Sequence, residues 1–353
     1  MSTKLNIGVV GIGRMGQRHA QNILHRVPRA RLLCVCSPAP HEIEWAARNL
    51  KPEGVHVFAD FNQMIETPGL QAVVIASPTD LHITHTIAAM ERGIHVLCEK
   101  PITTDVALLR SLIKASKAST AKLMVGFVRR FDKNYADARR KIESGLIGKP
   151  LIVRSQGTEK LDKTGFFINY ARVSGGIFLD TVIHDIDLTL SFFGDSMQPK
   201  SCYATGIIAH HEEMKEFGDV DNAIGVLEFQ DGRIAYYYHS RTTMHGYDNC
   251  TEIVGSDGKI GINLIPTVNK VQVSGVDGIV QEAFPSWIDQ YQEAFVTEMD
   301  IFTEAILEGK ELPMKLEAAL TGLKIAEALQ ESLVSGKKIE FDENGERRIR
   351  SAL

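Results

Sequence analysis

The run Leu5-Asn6-Ile7-Gly8-Val9-Val10-Gly11-Ile12-Gly13-Arg14-Met15-Gly16 decides the reading of the first half of the chain. Leu5–Val10 is a short apolar run of strand length ending at glycine, and Arg14–Val27 continues with helical spacing. The turn between them reads G-x-G-x-x-G. As a bare string this is weak. At a strand-to-helix turn it has a mechanism: the glycines permit a tight turn and close approach of a pyrophosphate, and the helix start supplies N–H groups and a positive dipole end. The context implies a dinucleotide-binding loop contacted through Gly11, Gly13, Arg14, Met15 and Gly16.

Working outward, apolar runs alternate with helical patterns. Strands are expected at Leu32–Cys36, Val55–Phe58, Ala72–Ala76, Ile94–Cys98 and Leu123–Phe127, with helices around Glu42–Leu50, Leu81–Arg92 and Asp105–Ala118. Near-continuous apolar strands separated by helices imply an α/β Rossmann domain, doubly wound on a mainly parallel sheet covered on both faces. The second half changes character. Helices are expected near Asn134–Ser144 and Asp180–Phe193, followed by strand-like runs at Ser201–Ile208, Ala223–Phe229, Arg233–Ser240, Cys250–Gly255 and Lys259–Asn263. Asp231-Gly232 and Asp257-Gly258 are hairpin signals between those runs. Two helical patterns, about Trp287–Glu308 and Leu316–Ser335, close the chain. The expectation is an α+β domain with an open, mainly antiparallel sheet and helices on one face. The boundary is placed so that residues 1–126 bind dinucleotide and residues 127–353 bind substrate and oligomerise.

Composition narrows the function. The chain has 353 residues, 44% hydrophobic and 24% charged, with a formal net charge of −5. That length favours two domains. No Lys/Arg run is long enough to track a phosphate backbone, so nucleic acid is not expected as a partner. No apolar stretch reaches the ~20 residues that span a bilayer. Met1-Ser2-Thr3-Lys4 leads straight into the first strand with no signal-peptide pattern, which points to a cytoplasmic protein. The five cysteines form no C-x-x-C pair and read as small buried hydrophobes in a reducing compartment.

Several residues carry candidate chemistry. The end of the second strand, where an acidic residue would bind the ribose hydroxyls of NAD, is occupied by Ser37, followed by Pro38. A hydroxyl there suits either a ribose or a 2′-phosphate. NADP usually also needs a nearby cation; Arg14 and His41 are candidates but neither position is specific, so NAD is preferred and NADP stays open. Ser77-Pro78-Thr79 ends the fourth strand on the edge where open α/β sheets bind ligands, or caps the next helix, or both. Glu99-Lys100-Pro101 ends the fifth strand on that edge. A lysine ammonium there can stabilise developing alkoxide charge; the plainer reading is a surface strand-end lysine. Asp180 and His184 stand four apart and would share a helix face after the Gly175-Gly176 turn. A neutral imidazole suits removal of a hydroxyl proton, with the carboxylate orienting it. Spacing alone does not separate that pair from a helix-start Asp and an ordinary His. Asp187 extends the same face, yet a metal is not expected, either there or at His210-His211-Glu212-Glu213.

Taken together, Gly11–Gly16, Ser77-Pro78-Thr79 with His82, Glu99-Lys100-Pro101, Gly126-Phe127-Val128-Arg129-Arg130-Phe131-Asp132 and Gly175-Gly176 through Asp180 and His184 resemble the glucose–fructose oxidoreductase / inositol dehydrogenase / MocA family. The resemblance spans nearly the whole chain. It is strongest toward the inositol 2-dehydrogenase branch, through Arg129–Asp132, Gly176–Asp187, His245-Gly246-Tyr247-Asp248 and the stretch from Asp289-Gln290-Tyr291 to Phe302. It implies an NAD(P)-dependent dehydrogenase acting on a ring secondary alcohol of a polyol or sugar, with Lys100, Asp180 and His184 as the catalytic group. It places Ser77, Pro78, Thr79, His82, Glu99 and Lys100 beside the cofactor, and Arg129, Arg130, Thr181 and Tyr247 near substrate. A homodimer or homotetramer through the second-domain sheet is also implied. Two departures stand out: Ser37 replaces the usual Asp, and the loop Thr158–Asn169 matches no specificity pattern. The alternatives are an NADP-dependent sugar or keto-sugar reductase of the same family, and a non-catalytic dinucleotide sensor such as the galactose-pathway repressor of yeasts.

Overall fold

A computed structural model describes residues 4–276 and 278–348. The chain divides into two compact units. One comprises Met1–Phe131 with Glu293–Leu320, the other Asp132–Gln292 with Thr321–Leu353. A single boundary at 126/127 does not describe the return of Glu293–Leu320 to the first unit. The sequence offers no local cue for that return, because an amphipathic helix does not declare which core it covers.

In the first unit the strands β1 (Leu5–Val10), β2 (Ala30–Cys36), β3 (His56–Phe58), β4 (Ala72–Ile75), β5 (His95–Glu99) and β6 (Leu123–Gly126) alternate with helices α1 (Arg14–His25), α2 (Pro40–Asn49), α3 (Phe61–Ile65), α4 (Thr79–Glu91) and α5 (Val106–Ala118). The sheet runs β3-β2-β1-β4-β5-β6, and every pairing is parallel. Ile7, Val9, Val74, Leu97 and Val125 are buried, as strands covered on both faces require. The strand order reverses between β1 and β4. The C-terminal strand ends beside that reversal (Val10, Cys36, Ile75) form the ligand edge of such a sheet. The helix Gln292–Leu307 adds buried Phe295, Met299 and Phe302 to this unit, and the Phe295 ring meets His19 of α1 edge-on at 5.7 Å.

The second unit begins with α6 (Lys133–Glu143), whose first turn is capped by Asp132 accepting from the Asn134 and Tyr135 N–H groups. It continues through β7 (Pro150–Lys160), α7 (Phe166–Ala171), a π-helical turn at Phe178–Val182, α8 (Ile183–Phe193), β8 (Pro199–Ile207), β9 (Asn222–Phe229), β10 (Ile234–Thr243), β11 (Asp248–Gly255), β12 (Lys259–Ile262), the small ribbon β13 (Val273–Gly275) and β14 (Gly278–Val280), the part of the helix Leu316–Ser335 from Thr321 onward and β15 (Ile339–Glu340). The seven-stranded sheet is ordered β12-β11-β7-β10-β9-β8-β15. All its pairings are antiparallel except β7 with β10. The expected mainly antiparallel sheet is therefore present, and Asp231-Gly232 and Asp257-Gly258 join β9 to β10 and β11 to β12 as hairpins. Along β10 the residues Ala235, Tyr237, His239 and Arg241 are buried, with α8 on their side, since the Tyr237 hydroxyl donates to Thr189 Oγ1 at 3.1 Å. The opposite face exposes Ile152, Tyr203, Ile224, Val226, Ile234 and Val254.

Candidate functional site

The phosphate loop is built by its glycines. Gly11 has φ +83°, and a Cβ there would lie 2.6 Å from the Ala76 carbonyl oxygen. A Cβ on Gly16 would overlap the Gly11 carbonyl oxygen. These two positions let α1 start directly against β1 and β4. At Gly13, the N-cap of α1, a Cβ would meet Glu42 Oε1 at 3.3 Å, and among the described residues no side chain caps the helix. The loop therefore presents an open front at a helix start, which fits a dinucleotide pyrophosphate. Met15 is half-buried and Arg14 exposed in that first turn.

The neighbouring strand ends are cross-linked. The buried His82 ring reaches the Pro101 carbonyl at 2.9 Å through Nδ1 and the Ser77 carbonyl at 2.8 Å through Nε2. Burial outweighs those two carbonyls and holds the His82 pKa below its ordinary value. The ring thus lies between the Ser77-Pro78-Thr79 turn and the Lys100-Pro101 turn, within hydrogen-bond distance of both. Ser77 Oγ lies 3.1 Å from His85 Nδ1. Buried Glu99 is anchored by His19 Nε2 at 2.7 Å and accepts the Lys100 N–H at 3.3 Å. Lys100 itself is half-buried, on the ligand edge of the sheet. Arg129 and Arg130 are buried in a 3₁₀ turn just after β6.

Ser37, at the end of β2, is hydrogen-bonded within the chain. Its buried hydroxyl donates to Glu42 Oε2 at 2.6 Å and accepts the Ala39 N–H at 3.1 Å. Glu42 Oε2 also accepts the Ile12 N–H at 3.0 Å. An acidic residue does stand at the end of β2, supplied from the first turn of α2.

In the second unit, Asp180 sits in the π-helical turn and His184 in the first turn of α8, not both on one α-helix as their spacing suggested. Gly175 and Gly176 precede the turn with φ +84° and +100°. The buried Asp180 carboxylate accepts from the Tyr170 hydroxyl at 2.9 Å and from Arg241 Nη2 at 2.6 Å. Arg241 is buried, donates also to Asp219 at 3.3 Å, and lies 4.7 Å over the Phe167 ring. The Thr181 hydroxyl donates to the Ile177 carbonyl at 2.8 Å. His184 is half-buried. Next to it, wholly buried Asp185 accepts from Ser155 at 2.5 Å and pairs with His239 Nε2 at 2.7 Å. Asn249 and Tyr135 extend that network, and the Tyr291 hydroxyl donates to Asn249. Tyr247 is buried, its ring edge-on to Tyr291 at 6.2 Å. Among the described residues, no group of three or more His, Cys, Asp or Glu is arranged to hold a metal ion.

Residues 5–127 match the model of an oxidoreductase family with an NAD-binding Rossmann fold, and residues 135–261 match the GFO/IDH/MocA C-terminal domain. The chain is 32% identical to the scyllo-inositol 2-dehydrogenase (NAD(+)) of Bacillus subtilis, over 97% of this chain and 98% of that one. It belongs to the GFO/IDH/MocA oxidoreductase family. It is 29% identical to the myo-inositol 2-dehydrogenase of Thermotoga maritima, over 96% and 99% of the two chains. The solved scyllo-inositol dehydrogenase of Lactobacillus casei with NAD(H) and scyllo-inositol superposes with a TM-score of 0.90 at 31% identity, covering 96% of this chain and 99% of that one.

The expected nicotinamide-dependent oxidoreductase of this family, on a Rossmann domain, is thus borne out. Glu42, Tyr170, Arg241, Asp219 and the Asp185 network escaped the reading of the sequence. Arg241 had a signal: it shares the buried parity of Tyr237 and His239 along β10, where a cation must find an anion. Glu42 had none in its motif, because it lies five residues past the strand-end position.

Proposed function

We propose that this GFO/IDH/MocA oxidoreductase reversibly oxidises a ring secondary alcohol of a cyclic polyol of the inositol class, with NAD as its cofactor. The likeness to inositol dehydrogenases over almost the full chain carries this reading. When bound, the nicotinamide supplies the hydride acceptor. His184 takes the proton of the substrate hydroxyl, a task for a half-buried neutral imidazole. Asp180, held by Arg241 and the Tyr170 hydroxyl, sets its carboxylate about one turn before His184, where it offsets the charge that the imidazole gains with the proton. Lys100 donates to the reacting oxygen and stabilises alkoxide character. Glu99, fixed by His19, holds the backbone of Lys100 in place. Arg129, Arg130, Thr181 and Tyr247 contribute to substrate selection, and Ser77, Pro78, Thr79 and His82 to the cofactor side.

We further propose that a second copy of this chain covers the exposed face of the seven-stranded sheet, giving a homodimer or homotetramer. The support is the run of exposed Ile152, Tyr203, Val226, Ile234 and Val254 on that face. A reducing, cytoplasmic setting accords with five buried free cysteines. No described helix is long and apolar enough to cross a membrane.

Lys100→Ala and His184→Ala, assayed with myo-inositol and a sugar panel, are each expected to lose about a hundredfold or more in kcat, the typical share of a general base or oxyanion stabiliser. Near wild-type turnover in both variants overturns the assignment.

A further inference from the structure

We infer that Glu42 reads the adenosine ribose of the dinucleotide and selects NAD over NADP, with Ser37 serving only to hold it. This inference rests on the NAD-dependent reading above. Three observations carry it. The single proton of the Ser37 hydroxyl is committed to Glu42, and its oxygen already accepts the Ala39 N–H. The Glu42 carboxylate reaches across from α2 to the phosphate loop and accepts the Ile12 N–H. Its second oxygen, Oε1, lies 3.3 Å from the Cβ position of Gly13, over the open front of that loop.

The geometry follows from the sheet. Val10 and Cys36 are register partners at the ends of β1 and β2. A dinucleotide whose pyrophosphate lies on the Gly11–Gly16 loop extends its adenosine half over the end of β2. The carboxylate there is largely shielded, with 17% of its side chain exposed. Oε2 carries both bonds from the protein. Oε1 has His41 Nε2 at 3.9 Å, beyond hydrogen-bond range, on a ring that is 82% exposed. An oxygen so placed can accept from vicinal ribose hydroxyls as a charge-assisted acceptor. The same charge repels a 2′-phosphate. An acid anchored by a loop N–H and a serine hydroxyl cannot swing aside without leaving both donors unmet.

The test is equilibrium binding of NADH, NADPH and ADP-ribose to the full-length protein, by calorimetry and nicotinamide fluorescence, for wild type, Glu42→Gln, Glu42→Ala and Ser37→Ala. Glutamine keeps an oxygen for Ile12 N–H and Ser37, so it removes the charge while preserving the loop. Wild type is expected to bind NADH at least about tenfold tighter than NADPH, the worth of one charged hydrogen bond. Both Glu42 variants should weaken ADP-ribose binding by about tenfold and bring the NADH/NADPH ratio to within about threefold. Ser37→Ala should keep the wild-type preference. An unchanged ratio in both Glu42 variants, with NADH still bound, overturns this inference and leaves the dehydrogenase reading standing. Loss of the preference in Ser37→Ala alone does the same. A wild-type protein that binds neither dinucleotide overturns both.

Discussion

The carboxyl of Glu298, on the helix Gln292–Leu307, is wholly buried, and among the described residues neither of its oxygens has a hydrogen-bond partner. Burial, reinforced by the charge of Glu99, pushes its pKa well above the usual carboxylate range. The folded chain therefore binds this proton more tightly than the unfolded chain. The stability contributed by the neutral carboxyl is full below the unfolded pKa and is lost as pH rises toward the folded one. Glu298→Gln, neutral throughout, should unfold at a higher temperature than wild type at neutral pH and above, and match it near about pH 4. Thermal unfolding across pH checks this, and a gap of equal size at both ends would contradict it. Residues of this kind mark the limit of what the sequence discloses. Lys100, Asp180 and His184 stood out because they follow strand ends and glycine turns, where local pattern implies position. Glu42 and Glu298 act through partners 30 and 199 residues away in the chain (Ile12 and Glu99), and no local pattern carries that distance.

At the scale of elements, strand boundaries in the first unit followed from apolar runs, because a strand buried on both faces has little choice of composition. The helix from Asp180 did not. The segment opens as a π-helical turn and becomes α-helical at Ile183, and the Asp180 carboxylate accepts from Arg241 of β10 and Tyr170 of α7. π-turns recur at functional sites because the extra residue re-aims a side chain. The stretch after Thr158, expected to be a loop, instead finishes β7 at Lys160 and forms α7 at Phe166–Ala171. The buried pairing of Arg241 with Asp180 and Asp219 ties β10 to that turn. Arg241→Met keeps much of the side-chain volume and leaves two carboxylates buried without their cation. We expect a loss of about 3–5 kcal/mol in stability, measured by urea unfolding. A change below about 1 kcal/mol would mean that the pair contributes little to holding the turn.

At the scale of the molecule, the seven-stranded sheet has one face under α8 and the other lined by aliphatic and tyrosine side chains in register, Ile152 opposite Ile234 and Tyr203 opposite Val226. If a second copy covers this face, Val226→Glu should shift the protein toward monomer in light scattering without lowering the unfolding temperature of the monomer. A wild-type protein already monomeric at assay concentration would contradict it. The strand runs and hairpin turns that build this sheet were legible in the sequence, whereas the return of Glu293–Leu320 to the first unit was not, since helix periodicity names a buried stripe and not its partner. The proposed chemistry is tested by reduction of NAD⁺ by the wild-type protein, followed by nicotinamide absorbance, with scyllo-inositol, myo-inositol and a panel of sugars. Turnover is expected with at least one inositol, faster with NAD⁺ than with NADP⁺. Absence of turnover with every inositol, in a protein that still binds NADH, would contradict it.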